Sequence, residues 1–149
     1  MQYDYIAIPS SQVPGAVSPA FQHIVDIYAS ETNKTASVWR TFAPEDLGWR
    51  PHPRSTAVEE IFKHQLLSER RFFGEFLGSQ EPPAREILPA ARTAEAYTLR
   101  LVQLASARLP WLGATTGTEW LAEADFFGKR RERIWIFWRR VLHSAHHRT

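Results

Sequence analysis

Cysteine is absent from the 149-residue chain, which excludes a disulfide framework, a thiolate metal site and a catalytic thiol of its own. Any metal must therefore be held by His, Asp or Glu. No apolar run approaches the roughly 18 residues that a membrane-spanning helix needs, so no contact with a membrane is expected. The N-terminal stretch MQYDYIAIPSSQ has neither a basic start nor a continuous apolar segment. No export signal is visible, and a cytoplasmic location is the expectation. Internal repeats, low-complexity tracts and a linker long enough to separate two domains are missing as well, so residues 1–149 are read as one domain.

What is present suits a packed interior: 44% hydrophobic residues, 13% aromatics and six Trp. The formal net charge is only +2, but the charge is unevenly spread. Between Lys129 and Arg148 there are seven basic residues (Lys129, Arg130, Arg131, Arg133, Arg139, Arg140, Arg148) and one acid, Glu132. A basic run can mark a nucleic-acid site. Here it is interleaved with Ile134, Trp135, Ile136, Phe137 and Trp138, which reads as the solvated face of a helix beside acidic neighbours, so no nucleic-acid partner is expected.

Turn residues punctuate the chain into four helical segments. Ser18 as N-cap and Pro19 at the first helical position open a helix over 18–41, with Phe21, Ile24, Val25, Tyr28, Ala36 and Trp39 at helical intervals. After the Pro-rich connection APEDLGWRPHPR, a capping box of Thr56 and Glu59 opens a second helix over 55–77, which Gly78 stops. A further Pro-rich connector, QEPPAREILPA, leads to a third helix over 93–109 that Pro110 and Gly113 end. TGTEWLAEADFFG alternates weakly, as a short strand or hairpin does. A fourth helix runs over 129–148, and its Ile134, Trp135, Phe137, Trp138, Val141 and Leu142 cannot all face water. Four such helices with two long Pro-rich connections predict an all-α four-helix bundle.

The histidines are the residues with chemistry to explain. His143 and His147 are four apart, so on a helix their rings sit one above the other and can reach one metal ion. An open transition-metal site usually has three protein ligands. His64, mid-helix among apolar neighbours, supplies the third if it faces the core; alone it reads rather as a buried histidine satisfied by a hydrogen bond, and with His143 and His147 at hand the two readings balance. His146 flanks this face, His23 suits a surface or structural role, and His52 lies in the loop RPHPR.

These pieces resemble a known family. LGWRPHPRST leading into EEIFKHQLLSERRF is similar to the first metal-ligand helix of the DinB-like superfamily, also called DinB/YfiT-like, with His64 at the ligand position. ADFFGKRRERIWIFWRRVLHSAHHRT is similar to its last helix, with the H-x-x-x-H ending followed by Arg148. In order and separation the resemblance covers nearly the whole chain. It implies a helical bundle in which His64, His143 and His147 bind a divalent metal, commonly zinc or nickel, and it implies a homodimer. It further implies a small-molecule substrate and, in some members, a reaction like that of thiol-dependent transferases or isomerases that use low-molecular-weight thiols such as bacillithiol or mycothiol. Members usually continue past this point through a Gln into another apolar helical stretch, and the sequence ends at Thr149.

Neutral imidazole nitrogens suit zinc, nickel or iron, with manganese a further candidate, and three such ligands leave the ion free to polarise a bound water, thiol or carbonyl oxygen. Glu60, one turn before His64, is the candidate to orient a ligand imidazole through its second nitrogen. With no Cys in the chain, a thiol reactant must come from outside. A metal-dependent hydrolase and a non-enzymatic metal-binding or structural bundle are the alternatives.

Overall fold

Four long helices carry the chain: α1 (Gln22–Trp39), α2 (Val58–Arg71), α3 (Ala94–Ala114) and α5 (Arg133–Arg148), with a short α4 (Gly117–Leu121) between the last two. The computed structural model describes residues 3–148; Met1, Gln2 and Thr149 lie outside the described residues. Apart from one antiparallel hairpin, β1 (Glu123–Phe126) with β2 (Lys129–Glu132), the fold is an all-α bundle.

The helix starts show where local signals were outbid. Pro19 does open the first helix, through a 3-10 turn at Pro19–Phe21 that leads into α1. The Ser18 hydroxyl, expected to cap that turn, instead accepts the Gly117 N–H at 2.8 Å and ties the start of α1 to α4. The expected Thr56–Glu59 capping box is also replaced. Ala57 is the residue before α2, and no side chain caps the helix. The Glu59 carboxylate is taken by the Arg92 guanidinium, which grips both oxygens, and by the Tyr97 hydroxyl at 2.8 Å. A two-pronged charged contact is stronger than one bond to a backbone N–H. α2 then widens into a π-helical turn, Phe72–Leu77, and ends as expected at Gly78, whose φ of +88° few other residues adopt.

Two boundaries differ from the sequence reading. α3 does not stop at Pro110 but runs to Ala114. The proline ring removes the N–H that the Ser106 carbonyl would accept; both residues lie on the exposed face, where water can take the carbonyl instead. Gly113 is not a terminator either. The N-terminal segment crosses it so closely that a Cβ there would stand 3.1 Å from the Gly15 carbonyl oxygen, and its own carbonyl accepts the Val17 N–H at 2.8 Å. The second difference is at α5, which starts at Arg133 rather than Lys129. Residues Lys129–Glu132 offer a helix no apolar face, and they pair instead with Glu123–Phe126. The turn between the strands is Phe127–Gly128, with φ of +52° and +76°. Two positive φ values make the tight hairpin turn that Asn-Gly fills without strain; Phe in the first position is an outlier.

α1 lies along α3, and α5 packs on α1, on α2 and on the π turn. Ile136, Phe137 and Val141 of α5 enter the core, Ile134 and Trp138 cover its edge, and Trp135 and Leu142 stay 44% and 62% exposed. One apolar cluster gathers Phe73, Trp120 and Phe137, a second gathers Trp39, Phe62 and Tyr97, and Val102 packs against both.

A buried ionic network threads this core. Glu69 accepts from Tyr28 at 2.5 Å, from Arg108 at 2.8 Å and from Arg140 at 3.3 Å, and Arg108 also grips Glu81 at 2.7 and 2.8 Å. Burial pushes the Glu69 carboxyl up, but the two arginines and the Tyr28 hydroxyl outweigh it and hold it below its ordinary value. Burial and the neighbouring Glu69 charge push the Tyr28 phenol well above its own.

Candidate metal centre

α2 and α5 bring the three histidines together. The Nε2 atoms of His64 and His143 are 3.0 Å apart, and the ring centroids of the three side chains are separated by 5.2, 5.0 and 4.7 Å. One ligand atom from each of the three lies within 4.8 Å of the others, an arrangement that could hold a metal ion. Bonds of about 2.0–2.1 Å to one tetrahedral ion place such atoms roughly 3 to 4 Å apart. The His64–His143 pair meets that separation, while the group as a whole is looser than that. His147 sits in the last turn of α5, the part of a helix with fewest bonds to its own backbone.

His64 is also not core-facing, as expected, but exposed. The core stripe of α2 is Phe62, Gln65, Leu66 and Glu69, and His64 lies on the flank of that stripe. The centre is consequently at the rim of the bundle, where a small molecule can reach it.

Its electrostatics favour bare nitrogen lone pairs. Partial burial, then the Arg140 charge, then His147 and His64 push the His143 imidazole down to about 4. Burial and Arg140 lower His64. Burial, His64, His146 and Arg140 lower His147. All three shifts favour the neutral imidazole, the form that ligates metals.

Two arginines fix the helices that carry these histidines. Arg140, one turn before His143 and buried, donates to the Gln65 carbonyl at 3.0 Å, to Gln65 Oε1 at 2.6 Å and to Ser68 Oγ at 3.1 Å. It thus clamps α5 to the backbone of α2 beside His64. Arg148 pairs with Glu31 of α1 and stacks over the Tyr3 ring at 5.4 Å, tying down the turn that carries His147. Glu60 accepts from Lys63 at 2.9 Å and stands in the same cleft as His64 and His147. His146 lies edge-on to His147 at 5.5 Å. His23 contacts the Ala20 carbonyl and stacks on Trp138, and the His52 ring accepts the Arg54 N–H in its loop.

Two clefts meet at His64. One, of about 840 Å³, runs past His147 to Phe42, Trp49, Arg54 and Ile61. The other, of about 610 Å³, runs past His143 to Arg71, Phe72, Phe127 and Arg139. Sequence reasoning passed over Trp49, Arg54, Phe127 and Arg139. Trp49 sits in a Pro-rich loop whose course no periodicity reveals, and Phe127 was read only as part of a hairpin.

Three of the seven basic residues in the run have carboxylate partners. Arg140 meets Glu69, Arg148 meets Glu31 and Arg130 meets Glu123 at 3.5 Å. Among the described residues no helix is long and apolar enough to cross a membrane.

No family model and no curated protein matches this chain. Its structure is similar to the crystal structure of a DinB-like protein from Bacillus cereus, with a TM-score of 0.73 and 17% identity over 84% of this chain and 83% of that one. The fold is thus that of a DinB-like helical bundle, as the sequence resemblance implied.

Proposed function

We propose that this protein is a metal-dependent enzyme in which His64, His143 and His147 hold one divalent ion, zinc or nickel before iron or manganese. The observation that carries this reading is the donor set: three neutral imidazoles from two helices converge at a solvent-reachable rim, with no carboxylate among them. Neutral donors cannot cancel one another as an ion pair does, so their convergence is stabilised most by a cation that all three share. Such an ion supplies Lewis acidity, lowering the pKa of a thiol or water presented to it.

The chain's own residues do the rest. Arg140 and Arg148 hold the helices that carry the ligands, and burial, with help from the Arg140 charge, disfavours protons on the imidazoles. Phe42, Trp49 and Ile61 give one cleft an apolar wall that shields a reactant from water. Glu60 serves as a polar contact at its mouth. Because two clefts meet at the centre, a reaction with two reactants fits it best. We read it as a transfer or isomerisation assisted by an external low-molecular-weight thiol, carried out by a cytoplasmic homodimer. Hydrolysis would use the same centre with water and need no second reactant.

Elemental analysis of untagged protein tests the centre. One ion per chain is expected for the wild type and none for His147→Ala, with the helical content of the variant unchanged. Less than one ion per chain at saturating zinc and nickel would overturn the reading. Turnover that requires added thiol selects transfer, and thiol-independent turnover selects hydrolysis.

A further inference from the structure

The hairpin turn carries a cost that the fold does not require. Phe127 holds a φ of +52°, which an L-residue with a bulky side chain rarely adopts. It packs against Phe126 and Phe76 at 4.8 and 4.9 Å and under the Arg71 guanidinium, yet it remains 59% exposed. Asn at this position would make the same turn without strain. Strain held at an exposed aromatic points toward a binding role more than toward packing.

The surroundings say what would bind. The cleft under Phe127 reaches His64 and His143, and its walls include Phe72, Phe126, Ser68, Arg71 and Arg139 but no carboxylate. Arg71 is neutralised by Glu75 at 2.9 Å, and Asp125 is turned to the Gly128 N–H at 3.2 Å. Arg139 is exposed and enters none of the ion pairs found among the described residues. A flat apolar floor beside one uncompensated guanidinium is complementary to an aromatic anion.

We propose that Phe127 and Arg139 form a binding subsite for a small aromatic or planar apolar molecule bearing an anionic group, lodged between the hairpin and α5 on the His143 side of the centre. The anionic group meets Arg139, the ring lies against Phe127 and Phe72, and the far end of the molecule points at the histidines. This rests on the metal-centre reading only for what that far end meets; the subsite itself is built from side chains that need no ion.

The test is calorimetric titration of metal-free and zinc-loaded protein with 2-naphthoate and with its neutral analogue 2-naphthylmethanol, beside thermal melts. Naphthoate should bind one site per chain about tenfold or more tighter than the alcohol, the scale of one charge-assisted contact. Arg139→Gln should remove that preference, and Arg54→Gln, in the opposite cleft, should leave it intact. Phe127→Asn should weaken naphthoate binding about fivefold or more while the melting temperature holds or rises, as relief of turn strain demands. Equal binding of acid and alcohol, an Arg54→Gln effect in place of the Arg139→Gln effect, or a lower melting temperature in Phe127→Asn would each overturn the proposal. Naphthoate binding with this pattern in a protein that takes up no metal would leave the subsite standing and remove the metal centre; metal uptake without naphthoate binding would do the reverse.

Discussion

The buried network and the histidine cluster both join polar side chains from different helices, but by opposite chemistry. Around Glu69, two carboxylates face two guanidiniums, all four nearly sealed from water. Around His64, three bases face one another, and burial together with the Arg140 charge disfavours their protonation. The first set is complete in itself. The second is matched only in part, by the 3.0 Å contact between the Nε2 atoms of His64 and His143, and it opens on two clefts. Polar convergence by itself is thus no sign of a functional site; what matters is whether the charges and lone pairs are already matched within the chain.

Breaking the network should produce the largest effect. Arg108→Met strands Glu81 in the core without its cation and leaves Glu69 only Arg140; it should cost about 3–5 kcal/mol in urea unfolding, while the protein that stays folded keeps its metal stoichiometry. A loss under about 1 kcal/mol would mean that water reaches the network and that the contrast with the rim is false.

Acid probes a junction between the two extremes. The Arg92 hydrogen bonds, with help from Tyr97, hold the Glu59 carboxyl down to about 2 against the opposing effect of burial. A depressed carboxyl stabilises the fold above its unfolded value of about 4.3, and that contribution fades as pH falls from there toward 2. Glu59→Gln should flatten this part of the stability profile, measured by thermal melts from pH 5 to 2. An unchanged slope would show that the Arg92 contact is too solvent-screened to count.

Arg148→Ala should cost the fold about 1 kcal/mol and lower zinc affinity about tenfold or more, as loss of a group that orients a ligand does. Competition titration against a chromogenic chelator reads the second effect. The smallest change in stability belongs to the rim itself: His143→Ala in metal-free protein should shift unfolding by no more than about 0.5 kcal/mol. A large loss there would make the cluster a structural element like the Glu69 network.

The sequence made the bundle legible because its four apolar stripes repeat at helical spacing. The network was legible in principle as well: Glu69 lies on the stripe of Phe62 and Leu66, Arg108 on that of Leu101 and Leu104, and Arg140 on that of Ile136 and Phe137. A charge on a buried stripe announces a partner, though not which one. His143 and His147 followed from their spacing, and His64 from the resemblance. What could not be read was set by contacts distant in sequence. Arg92 took Glu59 from its cap, the N-terminal segment claimed Gly113, and strand pairing drew Lys129–Glu132 out of the last helix. The direction of His64 depended on where α5 crosses α2, which no local pattern encodes.

The span between His64 and His143, 79 residues of chain, gives the centre a second meaning. The proposed ion, held from both sides, would close that loop like a staple, and unlike a disulfide it could be withdrawn. Closing a loop of this size restricts the unfolded chain far more than the folded one. If the proposed centre holds metal, mass action should make the melting temperature climb with free metal concentration and drop on chelation. For a chain without cysteine, such a staple is a reversible cross-link that needs no oxidant.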